Sequence, residues 1–192
     1  KGREMRSLSI IALVALVAAR SAAAVDLTEW GQVIQKGEVG ELRDDLQCVR
    51  RPTWPFSAQG VYLYQGATLR LNGFAIAGDD SGVGIECGSA GVGPNRCTIE
   101  GPGEVRGFYA GVNCGGCRVV ARTVIFRANT NGIYIPLSGR LVAENVVAID
   151  NVEEGIWAQS VRAKDVEASR NGGSGVNSFD RLRVRGLTAL AN

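Results

Sequence analysis

Six of the glycines followed directly by valine or isoleucine recur at a near-regular period along this chain. The copies are Gly60-Val61, Gly84-Ile85, Gly111-Val112, Gly132-Ile133, Gly155-Ile156 and Gly175-Val176, spaced by 24, 27, 21, 23 and 20 residues. Self-similarity at such a period marks a stacked repeat architecture, and it restricts the fold more than any bulk property does. A second motif lies further along each unit. It aligns without gaps in the last four copies: Val119 to Asn129, Leu141 to Asn151, Val161 to Asn171 and Leu182 to Asn192. Copies starting at Leu69 and Cys97 end less regularly.

The columns of this alignment predict strands. The first is Leu69, Cys97, Val119, Leu141, Val161, Leu182; two residues on come Leu71, Ile99, Ala121, Ala143, Ala163, Val184. Polar residues such as Arg70, Thr98, Arg162 and Arg183 lie between them, and apolar–polar–apolar is the period of a strand. Two residues further sit Gly73, Gly101, Thr123, Asn145, Asp165 and Gly186, types that mostly tolerate positive φ or make local turn hydrogen bonds, so a bend is expected there. The Asn column marks another bend. Each unit is then three short strands with no room for a helix. One unit cannot bury its apolar side chains alone, whereas stacked units bury like residues on like. The expected fold is all-β, a single-stranded parallel β-helix of roughly 22 residues per rung. A leucine-rich repeat is the alternative, suggested by Leu182, Val184, Leu187, Leu190 and Asn192, but other copies carry Ala and Val where leucines are required.

The chain starts at Lys1, and its first methionine is Met5. A short basic start, an apolar run from Leu8 to Ala19 and an Ala22-Ala23-Ala24 exit predict a secretory signal peptide over 1–24, with Met5 as its start. The run is too short to span a bilayer, so no transmembrane span is expected after cleavage. The 25–59 segment is assigned to an N-terminal cap and first rung, and 60–192 to further rungs that stop before a natural C-terminal cap. This leader holds four of the 21 basic and one of the 19 acidic residues, which leaves 17 against 18 and a net charge of −1. Such a balance offers no field for nucleic acid. Export places the product in the periplasm, at the cell surface or outside the cell.

Taken together, several stretches resemble the right-handed parallel β-helix proteins of the pectate-lyase-like superfamily, in its bacterial exported members. They are the segment from Gly31 to Gly40, Leu46-Gln47-Cys48, the segment from Ala67 to Phe74, Gly84-Ile85-Glu86-Cys87 and the segment from Cys97 to Gly103. The resemblance covers about residues 30–192 and implies a right-handed helix. It also implies an N-terminal cap with a cysteine just before the Gly-Gln step. Trp30 holds that place here, which leaves Cys48 as a free-thiol candidate. The other four cysteines are disulfide candidates. Cys87 with Cys97 would close a ten-residue excursion, Cys114 with Cys117 a tight one, and Cys87 with Cys114 would join one column of adjacent rungs. The Cys87–Cys97 pairing is favoured.

The superfamily includes polysaccharide lyases, hydrolases and epimerases, but the residues for that chemistry are sparse. The chain has no histidine, which excludes histidine acids, bases and metal ligands. Asn129-Thr130-Asn131-Gly132 resembles a polygalacturonase motif with Asn131 in place of its acid, and Asp79-Asp80 lies two rungs away. Both read as turn residues. The scattered acids suggest no metal site; calcium enters only by analogy with the superfamily, and no cofactor is expected. Arg181, Arg183 and Arg185 alternate outward on the last strand and read as a solvated edge. The sharpest feature is the second residue after each repeat glycine: Tyr62, Glu86, Asn113, Tyr134, Trp157, Asn177. Alternation points this column outward, so Tyr62, Tyr134 and Trp157 are candidate carbohydrate-binding residues, with extracellular polysaccharide as the expected partner. The expected function is a non-catalytic exported solenoid, structural or sugar-binding. The alternative is a fragment of a polysaccharide-active enzyme whose catalytic residues lie outside this segment.

Overall fold

A computed structural model describes residues 24–48, 59–88 and 96–192. The leader assigned to 1–24 lies, apart from Ala24, outside the described residues. Among these residues there is no helix, so none is long and apolar enough to cross a membrane. Seventeen strands form one extended sheet, and every pairing is parallel. Most strands pair with one from the preceding unit and one from the next, as in a β-solenoid; Val25–Leu27, Gln32–Ile34, Leu46–Gln47 and Val176–Thr188 pair on one side only. The repeat-glycine column is in register throughout: Val61 on Ile85, Ile85 on Val112, Val112 on Ile133, Ile133 on Ile156 and Ile156 on Val176.

One column of the alignment needs correction. Leu69 pairs with Ile99, and Thr68 with Thr98, so Ala67 rather than Leu69 stands beside Cys97. The offset is two residues. A shift of two keeps every side chain on its own face, so hydrophobic alternation cannot detect it. From Cys97 onward the register is as read: Cys97, Val119, Leu141, Val161 and Leu182 are successive partners.

The bends follow from backbone conformation. Gly73, Thr123, Asn145, Asp165 and Gly186 all have positive φ, between 52° and 92°. A second set of bends is less obvious. Ala128, Asp150, Arg170 and Ala191 have φ of 49–56° although none is glycine, and each directly precedes an asparagine of the closing column. These four strained positions therefore owe their conformation to what the next residue does.

That next residue is a buried asparagine. Asn129, Asn151 and Asn171 are at most 3% exposed. In Asn151, Oδ1 accepts from the backbone N–H of Asn129 at 3.1 Å and from its Nδ2 at 3.3 Å. Its Nδ2 donates to Phe126 O at 3.3 Å and to Asn171 Oδ1 at 2.8 Å. Both donors and both lone pairs are used, which is all an amide can offer. Asn171 repeats the pattern with Asn151, Ala148 O and Asn192. The opening glycines are what let these amides pack. A Cβ at Gly132 would lie 3.0 Å from Asn151 Nδ2, and one at Gly111 would lie 2.5 Å from Gly132 O. Close approach, not positive φ, demands glycine in that column.

The outer face carries a charge ladder. Successive register partners are Glu41, Arg70, Glu100, Arg122, Glu144 and Lys164, so the sign alternates from unit to unit. Ion pairs of 2.9–3.5 Å join Glu41 to Arg70, Arg70 to Glu100, Glu100 to Arg122 and Glu144 to Lys164.

Candidate functional site

The column after the repeat glycine forms an outward face in the order Tyr62, Glu86, Asn113, Tyr134, Trp157, Asn177. Only part of it is aromatic and continuous. Tyr134 and Trp157 stand on adjacent units with ring centroids 4.4 Å apart and planes tilted by 50°. Tyr62 is three steps away. Between them Asn113 Nδ2 donates to both carboxylate oxygens of Glu86, at 2.9 and 3.1 Å. Burial holds the Glu86 carboxyl above its ordinary range, against the opposing pull of that bond.

Two further rings extend the pair. Tyr109 meets Tyr134 edge-on at 6.4 Å, and Phe179 meets Trp157 edge-on at 5.6 Å. Both are well exposed, at 49% and 63%. Four rings on four successive units thus line a shallow groove of about 280 Å³. The sequence signal for Tyr109 and Phe179 was weak, because neither belongs to the repeat column. Tyr109 sits in the corner before Gly111, and Phe179 follows a register break between Ala158 and Ser160.

The polar rim comes from one loop. Asn131 is buried; its Nδ2 donates to Glu153 Oε2 at 3.1 Å, and its Oδ1 accepts from the Glu154 N–H at 3.4 Å. Backbone bonds from Glu153 N to Thr130 O and from Gly173 N to Glu153 O, both 2.8 Å, fix the loop from either side. Asn131 is therefore a loop-positioning residue with its polar atoms engaged. Burial, then Tyr109, Glu154 and Glu153, raise the Tyr134 phenol above its ordinary range. Trp157 Nε1 is buried and has no hydrogen-bond partner among the described residues, so an acceptor reaching it would recover an unmet bond.

The remaining candidates lie elsewhere. Arg181, Arg183 and Arg185 are exposed, in register with Ser160, Arg162 and Lys164, and none lines the groove. Among the described residues no group of three or more His, Cys, Asp or Glu side chains is arranged to hold a metal ion. The disulfide joins Cys114 to Cys117, with Cα atoms 5.8 Å apart. The favoured Cys87–Cys97 bond is not formed: both are buried thiols, as is Cys48. Burial and a side-chain hydrogen bond to Cys97 raise the Cys87 thiol, and burial beside Asp79 pushes Cys48 up to about 12. These thiols are protonated and held in the core, which suits packing rather than nucleophilic chemistry. The tight pairing is available because Gly115 and Gly116 let the chain reverse between the two cysteines; Gly116 has φ 79°.

Comparison with known proteins finds no match: no family model, no curated protein and no solved structure.

Proposed function

We propose that this chain is an exported, right-handed parallel β-helix of the pectate-lyase-like kind, with rungs of roughly 22 residues, whose role is to bind polysaccharide without cleaving it. Parallel crossover connections are overwhelmingly right-handed, which supports the handedness. Successive Asn partners 22 and 20 residues apart support the rung length. The observation that carries the binding role is the row Tyr109, Tyr134, Trp157 and Phe179 along one groove. Aromatic rings offer flat apolar faces to the C–H faces of sugar rings, and the unpartnered Trp157 N–H faces no competing protein acceptor.

Affinity electrophoresis over a panel of soluble glycans tests this. The native chain is expected to be retarded by at least one glycan, and Trp157→Ala and Tyr134→Ala each to weaken that binding about tenfold. Unchanged retardation in both variants overturns the proposal. The Glu153-Glu154 pair beside the rings favours a second reading, a polysaccharide-active enzyme. Ultraviolet absorbance of unsaturated products from uronate polymers, with and without calcium, tests for lyase activity.

A further inference from the structure

Resting on that sugar-binding reading, we propose that the groove selects a positively charged glycan, an amino sugar carrying a free ammonium group, over neutral or acidic sugars. The lining combines aromatic rings with two carboxylates and holds no basic side chain. Four aromatic rings, tilted to one another by 50–65°, line the groove, and a cation over an aromatic face is attracted by the ring quadrupole. Glu153 and Glu154 are the charged groups of the lining, and no lysine or arginine joins them.

Some of this protein's surface carboxylates are compensated, whereas others, such as Glu38, Glu167 and Asp180, form no ion pair among the described residues. Glu41, Glu100, Glu104, Glu144 and Asp150 each lie within 3.5 Å of an arginine or lysine nitrogen. Glu153 and Glu154 form no ion pair among the described residues. Asn131 nevertheless holds the loop that carries them, so the negative charge is both uncompensated and fixed in place. A uronate carboxylate in this groove would meet two like charges and no base. An ammonium group would meet the carboxylates, while its sugar ring lies against Tyr134 and Trp157. The four rings span three strand spacings, about 14 Å, enough for an oligosaccharide of a few residues.

Calorimetric titration of the full chain with glucosamine oligomers, N-acetylglucosamine oligomers of equal length and oligogalacturonate tests the inference. Glucosamine oligomers are expected to bind about tenfold tighter than their acetylated counterparts, and added salt is expected to erode the difference. The double variant E153Q/E154Q keeps an acceptor for Asn131 and should bring glucosamine affinity down to the acetylated level. Far-UV circular dichroism of that variant must match the native chain; if it does not, E154Q alone, which leaves the Asn131–Glu153 bond intact, replaces it with the same expected direction. Equal affinity for the charged and acetylated oligomers, or preference for oligogalacturonate, overturns the charge selection while leaving sugar binding standing. Absence of binding to all three, together with no retardation by any glycan in the electrophoretic panel, overturns both.

Discussion

After Val105 the chain turns through Gly107 and places Phe108 in the corner; one unit later, after Phe126, it turns through Ala128 and places Asn129 there. Both residues are buried. Phe108 fills its corner with an apolar ring, and room for it exists because Gly78 and Gly84 lack side chains: a Cβ at Gly78 would lie 2.5 Å from the ring. Asn129 fills the same corner with hydrogen bonds to Val105 O and Asn151. The units on the two sides of this boundary differ accordingly. The N-terminal side is built on Leu27, Ile34, Leu42, Leu63, Leu69, Ile76 and Ile85, with uneven spacings. The C-terminal side keeps Ile133, Ile135, Leu141 and Ile156 but fills more of its columns with Ala143, Ala148, Ala158, Ala163 and Ala168 and with valines, at near-constant spacing. Apolar filling is non-directional and tolerates variable loop lengths. An amide ladder needs its partner at a fixed place, so it holds each unit to 20–22 residues. Where side-chain volume is smaller, directional bonds supply the cohesion.

The largest expected effect is at the glycine that admits the ladder. Gly132→Val drives a side chain into the Gly155 carbonyl and Asn151. It should cost about 3 kcal/mol or more, read as a drop in midpoint by denaturant unfolding. If Gly132→Val is neutral, the ladder is not close-packed and the contrast between the halves fails. Next comes the same substituent at the two corners. Asn151→Leu strands the Asn129 N–H and Phe126 O, costing about 3 kcal/mol, whereas Phe108→Leu removes only part of a ring, at about 1–1.5 kcal/mol. Equal costs would mean that the corners are equivalent after all. The smallest effect concerns Glu86, on the N-terminal side. Its folded pKa is raised above the unfolded value near 4.5, so the native state holds the proton more firmly and stability falls as pH rises through that window. Glu86→Gln should flatten this slope, seen by unfolding at pH 4 and pH 7.

Much of this was legible in the residues. The Gly-Val and Gly-Ile column and the Asn column fixed the strand parity and the pairing from Cys97 onward, because like residues recur only where they stack on like. The first copy slipped by two because parity is blind to such a shift and because Leu69 and Leu71 are equally apolar. The Asn column was recognised as a bend, but its bonding was not: a bend needs only backbone, while the ladder depends on amides that meet across 20–22 residues. Tyr134 and Trp157 were found because they occupy a repeat column. Tyr109 and Phe179 were not, because they reach the groove from a corner and a register break. Tyr62 shares the column but not the site, since a column records direction and says nothing about distance along the stack.

The alternating charges from Glu41 to Lys164 act as a parity check on assembly. Each ion pair is exposed and worth little singly. Their order matters more than their sum. If one unit were skipped during folding, or if two chains stacked with one unit displaced, every second-neighbour contact would bring Glu onto Glu and Arg onto Arg. Like charges directly opposite in a sheet are repulsive. Hydrophobic alternation has the same parity in every unit and cannot report such an error; a two-letter sequence of signs can.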